Sequence, residues 1–245
     1  MKLHVIKTGS KGNCYIIEHE NKYLILEAGA TIKEIQDYFH KSKIKFSLFN
    51  VVGCLITHEH GDHAKYAKDY YKSGIKLFTS SGTNKYLHNN FNFSGQVIFH
   101  QIPFSVDEFF CIGITSYHDA AEPLNFIIRI SDRTIVYITD TGHVPFDFDF
   151  VVDLLICEVN YCQDLINDNM ATGKLNTALY SRIVRDHLSK EQVFELLENN
   201  KGKVKQLVSV HMSSSNIELK GLASDFIKEF GIITTIAEKH KQIYF

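Results

Sequence analysis

Leu55-Ile56-Thr57-His58-Glu59-His60-Gly61-Asp62-His63 is the stretch on which the reading of this chain turns. His58, His60, Asp62 and His63 fall within six positions. The apolar run before them (Val51, Val52, Cys54, Leu55, Ile56) predicts a buried strand. Thr57, Gly61 and Asp62 interrupt that run, and a helical pattern follows from Ala64 to Lys72. The cluster is therefore expected on a loop that leaves a strand and enters a helix. In extended chain, His58 and His60 point the same way. Asp62 and His63 are adjacent, point differently and can serve a second centre. Imidazole with carboxylate suits Zn²⁺, Mn²⁺ or Fe²⁺. Surface histidines on a polar loop are the competing reading, and the spacing argues against it.

The remainder of the chain sets bounds on this. The composition, 44% hydrophobic and 22% charged, is that of a globular protein. No apolar run is long enough to cross a bilayer. The N-terminus, Met1-Lys2-Leu3-His4-Val5-Ile6-Lys7, alternates like a strand and has no signal-peptide core, so a cytoplasmic protein is expected. Cys14, Cys54, Cys111, Cys157 and Cys162 form no Cys-x-x-Cys pair, and most lie in apolar runs. They are expected to be free thiols. A net charge of −2 neither announces nor excludes a nucleic-acid partner, because a phosphate-binding face can be basic locally. The densest basic run, Lys201 to Lys205, reads as a solvated turn.

Three short strands are expected to open the chain, over 3–7, 14–19 and 23–27. Thr31 is expected to cap a helix that reaches Lys41, with Ile32, Ile35 and Phe39 on one face. Beyond the cluster, strands are expected over 76–79, 96–101, 109–117, 124–130, 134–139, 151–157, 206–210, 232–236 and 242–245. Helices are expected over 81–89, 163–170, 177–187, 189–199 and 217–230. There is no repeat, linker or low-complexity tract. Strands, helices, strands, helices in that order fit an α/β protein. Its expected architecture is an αβ/βα four-layer sandwich, two mixed sheets face to face with helices outside, in a single domain spanning 1–245.

Three further side chains complete a candidate site. His118, Asp140 and His211 are each the first metal-competent residue after an apolar strand, where a loop-borne site on a rigid scaffold belongs. Each alone reads equally as a strand-capping residue. Together with the cluster, the order is hard to obtain by chance. The turn Thr8-Gly9-Ser10-Lys11-Gly12-Asn13 is either a hairpin loop or a backbone cradle, with Lys11 reaching a phosphate. His143 reads as a loop histidine. Asn160, Tyr161 and Asn216 are candidates to line the mouth. Tyr70, Tyr71, Phe91 and Phe93 serve either base stacking or core packing.

The motif His58-x-His60-x-Asp62-His63, followed by His118, Asp140 and His211, resembles the metallo-β-lactamase fold superfamily. Relatives with a redox di-iron centre carry Glu where this chain has His60, which points to a hydrolase. The resemblance implies two divalent metal ions, Zn²⁺ or Mn²⁺. His58, His60 and His118 would hold one, Asp62, His63 and His211 the other, and Asp140 would bridge them. Asp62 and Asp140 would orient a metal-activated hydroxide. β-Lactamases proper lack the bridging Asp. The segments Gly9 to Cys14, His118 to Pro123, His187-Leu188-Ser189 and His211 to Asn216 look like the WalJ/YycJ branch, whose members are regarded as DNA exonucleases. This resemblance spans nearly the whole chain, although Asn176–Asp186 fits it loosely. It implies a DNA substrate, with Ser10, Lys11, Asn13 and Asn216 near it. It also makes His187 a candidate to contact the scissile phosphate or protonate the leaving oxygen. The competing reading of His187 is a helix C-terminal histidine favoured by the dipole. Glu27 stands where the family has Asp, a residue that braces the metal loop, and that departure bears on activity. The expected function is a metal-dependent DNA exonuclease. The alternatives are a dinuclear hydrolase of small thioesters or lactones, and a metal-bound regulatory protein without catalysis.

Overall fold

The computed structural model describes residues 1–245. The chain divides into two compact units. The first comprises Met1–Thr115, Ala120–Ile130 and Glu238–Phe245; the second comprises Ser116–Asp119 and Ser131–Ala237. The strands form two seven-stranded mixed sheets.

The first unit opens with β1 (Lys2–Lys7), β2 (Cys14–His19) and β3 (Lys22–Leu26). Helix α1 (Ile32–Lys41) leads to β4 (Val51–Leu55). Two short helices follow, α2 (Gly61–Ala64) and α3 (Ala67–Lys72), then β5 (Leu77–Thr79), α4 (Ser81–Phe91) and β6 (Gln96–Val97). With β14 (Lys241–Tyr244) at its far edge, the sheet order is β14-β1-β2-β3-β4-β5-β6. It is antiparallel as far as β3 and parallel from β3 to β6. This unit also holds the antiparallel run β7 (Pro103–Val106), β8 (Phe109–Thr115) and β9 (Leu124–Ile130). Thr31 caps α1 through a reciprocal capping box with Glu34, as its sequence predicts. The helix buries Ile35, Tyr38 and Phe39 against Tyr23, Ile25 and their neighbours. Each such fully buried apolar side chain contributes about 1.5–3 kcal/mol.

The second unit carries β10 (Arg133–Ile138), β11 (Leu154–Glu158), β12 (Gln206–Val210) and β13 (Ile233–Ile236), paired parallel in that order. Strands β11 and β12 are buried along their whole length, as a parallel ladder covered on both faces requires. Its helices are α5 (Gln163–Ala171), α6 (Thr177–Asp186), α7 (Lys190–Asn199) and α8 (Leu222–Phe230). Strands β7 to β13 make up the second sheet, ordered β13-β12-β11-β10-β9-β8-β7.

The structure corrects several boundaries. The helix expected over 64–72 is two helices: Tyr66 leaves the helical path and its N–H donates to Ala28 O. Asp62 and His63 lie inside α2, not on the loop before a helix. The strand expected over 96–101 stops at Val97, and β7 was not foreseen because Pro103 and Ser105 dilute its pattern. The helix expected from 217 begins only after Gly221, whose φ of 84° marks its N-terminus. All five cysteines are free thiols, and four are buried. No helix is long and apolar enough to cross a membrane.

Candidate metal centre

In the first unit the parallel strands β3, β4 and β5 end side by side. Carboxyl ends of parallel strands are where α/β sheets place their ligands. Glu27 follows β3, and Thr57 and His58 follow β4. Glu27 is fully buried and left-handed, with φ of 68°. Its Oε2 accepts from Thr57 N–H at 3.2 Å, and its Oε1 lies 3.4 Å from His63 Nδ1. Thr57 Oγ1 lies 2.9 Å from His58 Nδ1. Two imidazoles are thus held through their Nδ1 atoms, the outer-shell arrangement that orients metal-ligating histidines. The His58 ring packs 4.6 Å from His60 and 4.3 Å from His63, centroid to centroid. So the structure brings His58, His60 and His63 together, with Asp62 Oδ2 3.3 Å from His63 Nε2.

Backbone hydrogen bonds fix this loop. Asp62 O accepts from Asn13 N–H at 2.7 Å, His63 O from Ala28 N–H at 2.7 Å, and Asn13 O from Gly29 N–H at 2.9 Å. A Cβ on Gly29 would meet Asp62 O at 2.1 Å, so only glycine fits. Asn13 is buried and spends its side-chain amide on Asp62 Oδ2 at 3.3 Å and on His63 Nε2 at 3.2 Å. Its amide therefore faces the same side-chain atoms that are available to a metal. Ser10 and Lys11 are exposed on the turn before it.

The second unit repeats the logic. Asp140, Glu158 and His211 stand at the carboxyl ends of the adjacent parallel strands β10, β11 and β12. Asp140 and His211 are left-handed, with φ of 46° and 49°. Such conformations cost about 1–3 kcal/mol and cluster at functional sites. Ligand atoms of Asp140, Glu158, His187 and His211 all lie within 4.8 Å of one another. His187 Nδ1–H donates to Glu158 Oε2 at 3.0 Å and to Asp140 Oδ1 at 3.1 Å. Burial alone would lower the pKa of His187, but the Glu158 and Asp140 carboxylates outweigh it and push the value up to about 10. His211 Nε2 lies 3.7 Å from Asp140 Oδ1, and its Nδ1 3.2 Å from Asn160 Nδ2. His118 Nδ1–H donates to Asp186 O at 3.0 Å, and burial holds this imidazole below the usual histidine pKa. The chain thus keeps His118 as the neutral form a metal needs.

Glu158 is the functional residue that the sequence reading missed. It is fully buried, and its Oε1 accepts from Thr141 N–H at 2.9 Å and Leu188 N–H at 3.1 Å. One carboxylate therefore ties the Asp140 loop to the His187 loop. The rule that found Asp140, first ionisable residue after an apolar strand, finds Glu158 as well once β11 is extended by one residue. Asn216, expected near substrate, is buried, and its Oδ1 accepts from Asn169 Nδ2 at 3.0 Å. Among the candidate stacking residues, Tyr70 and Phe93 are core, whereas Tyr71 and Phe91 are exposed.

A family model described as the beta-lactamase superfamily domain matches residues 36–212. The chain belongs to that superfamily. It is 29% identical to the exodeoxyribonuclease WalJ of Streptococcus pneumoniae, over 91% of this chain and 85% of that protein. It is 27% identical to the exodeoxyribonuclease YycJ of Bacillus anthracis, over 91% and 87%. Among solved structures, the metallo-β-lactamase fold protein YhfI of Bacillus subtilis matches with a TM-score of 0.74 at 14% identity, covering 99% of this chain and 98% of that one. The expected α/β sandwich class is thereby borne out, and the chain is a WalJ-like metal-dependent hydrolase of the metallo-β-lactamase fold. The fold implies divalent metal ions. The donor sets described above, imidazoles with braced Nδ1 atoms beside carboxylates, fit that requirement.

Proposed function

We propose that the protein is a cytoplasmic, metal-dependent phosphodiesterase that releases nucleotides from DNA ends. The observation that carries this reading is the doubly anchored His187, an imidazole bound by Glu158 and Asp140 beside His211. A phosphodiester carries negative charge into the reaction and expels an alkoxide, and an imidazole held at that point can offset that charge and protonate that oxygen. The exodeoxyribonuclease names of its relatives support the same substrate class.

In this reading His58, His60, Asp62, His63, His118, Asp140 and His211 hold two divalent ions, Zn²⁺ or Mn²⁺, and the sequence works as one domain. Divalent ions bound there would supply an activated water and a clamp for phosphoryl oxygens. Asp62 and Asp140 orient the attacking oxygen. His187, its Nδ1 committed to carboxylates, contacts the scissile phosphate and delivers a proton to the leaving oxygen through Nε2. Glu27 takes the bracing role expected of Asp in the family: its Oε2 accepts from Thr57 N–H and its Oε1 lies 3.4 Å from His63 Nδ1.

The test is a substrate panel run with added Mn²⁺ or Zn²⁺: labelled single- and double-stranded DNA, RNA, and a small thioester and lactone. The proposal expects nucleotide release from DNA, absent with chelator. Turnover of the acyl compounds alone would transfer the chain to the thioester or lactone class, and no turnover of any substrate by metal-loaded protein would leave it a regulatory fold.

A further inference from the structure

We infer that Tyr117 and His143 form a stacking platform for the base of the terminal nucleotide, an inference that rests on the nucleic-acid reading above. Tyr117 is 43% exposed, and the ring of His143, also an exposed residue, packs on its ring at 4.0 Å between centroids, tilted by 31°. A large aromatic ring in water is ordinary on a mobile loop, but the backbone that carries this one is hydrogen-bonded through both its N–H and its carbonyl. Tyr117 N–H donates to Thr141 Oγ1 at 3.0 Å, and Tyr117 O accepts from Gly142 N–H at 2.9 Å. Thr141 Oγ1–H in turn donates to His143 O at 2.8 Å, and Gly142 O accepts from Gln192 Nε2–H at 2.7 Å. Gly142 has no room to shift, since a Cβ there would meet Arg185 O at 1.9 Å.

The platform stands on the segments that carry the candidate ligands. Tyr117 directly precedes His118, and His143 lies three positions beyond Asp140. Ser116 Oγ–H donates to Asp140 O at 2.5 Å, so the residues flanking both rings share one hydrogen-bonded frame. Nearby, Arg185 pairs with Asp186 at 2.6 Å and Arg182 with Asp119 at 3.3 Å. The exposed aromatic surface suits a nucleobase and, having no hydrogen-bond code, tolerates any of the four.

The test compares steady-state rates on DNA ending in an ordinary nucleotide with rates on DNA whose terminal nucleotide is abasic. For Tyr117→Ala we expect KM on the ordinary end to rise about 5–100-fold, with kcat little changed. On the abasic end, Tyr117→Ala and the unaltered chain are expected to match. Tyr117→Phe, which keeps the ring and the backbone bonds, is expected to restore the ordinary KM, and His143→Ala to show a smaller rise than Tyr117→Ala. An unchanged KM in Tyr117→Ala, or an equal rise on both ends, overturns the platform while leaving the nuclease reading standing. Failure of the unaltered chain to process either DNA overturns the nuclease reading and the platform with it.

Discussion

Glu158 Oε2 stands 3.0 Å from His187 Nδ1, and the same carboxylate accepts two backbone N–H bonds through its other oxygen. A fully buried carboxylate with three partners is tuned as well as satisfied. Glu158→Gln keeps the shape and one accepting oxygen but removes the charge. We expect the folded protein to remain, with activity about 10–100-fold lower. Glu158→Ala also strands Thr141 N–H and Leu188 N–H, each at about 1–3 kcal/mol, so its urea midpoint falls as well. Equal activity in Glu158→Gln and the unaltered chain would remove Glu158 from the account.

The metal loop of the first unit hangs on Gly29. Gly29→Ala places a methyl 2.1 Å from Asp62 O and 2.4 Å from Asn13 N. The backbone on both sides is hydrogen-bonded, so the loop must move. Bound divalent metal, measured on purified protein, is expected to drop more than about tenfold while far-ultraviolet circular dichroism is unchanged. Gly61→Ala serves as the control: a Cβ there meets nothing within 4 Å, so metal content is expected to hold.

Glu27→Ala tests the bracing role. The substitution removes the acceptor for Thr57 N–H and the partner of His63 Nδ1. Metal affinity in competitive titration is expected to weaken about 10–100-fold. Affinity equal to that of the unaltered chain would make Glu27 a core residue with no bearing on the metal loop.

Asp153 gives a pH-dependent prediction away from the site. Burial raises its pKa, but Lys205 at 2.8 Å, Thr134 N–H and Arg133 at 3.0 Å outweigh that and hold it below the ordinary 3.8. A depressed folded pKa stabilises the native state above the unfolded value, and the benefit disappears as pH falls through the folded one. Asp153→Asn is therefore expected to cost about 1–3 kcal/mol at pH 7. In urea titrations the gap should narrow below pH 3.8. A gap that stays constant or widens there contradicts the charge-based account.

Much of this was legible in residue order. Short apolar runs located β2, β9 and β12 to the residue, and Thr31 with Glu34 announced the start of α1. The ligand candidates stood out because a strand end followed by His or Asp is a local signal. What escaped was non-local. Nothing around Asn13 tells that its amide turns inward to Asp62, since the contact spans 49 positions. Glu158 was hidden by a strand boundary set at Cys157. Tyr66 breaks a helix whose own pattern is unbroken, because its N–H is claimed by Ala28 O.

The central claim is that this ligand set hydrolyses DNA through divalent metal, and Asp62→Ala addresses it most directly. The measurement is Mn²⁺-dependent release of labelled nucleotide from DNA ends, under identical conditions, by the unaltered chain and by that variant. The account predicts robust release by the former, abolished by chelator, and a loss of at least about 100-fold in the latter. Release at the same rate by both proteins would contradict it.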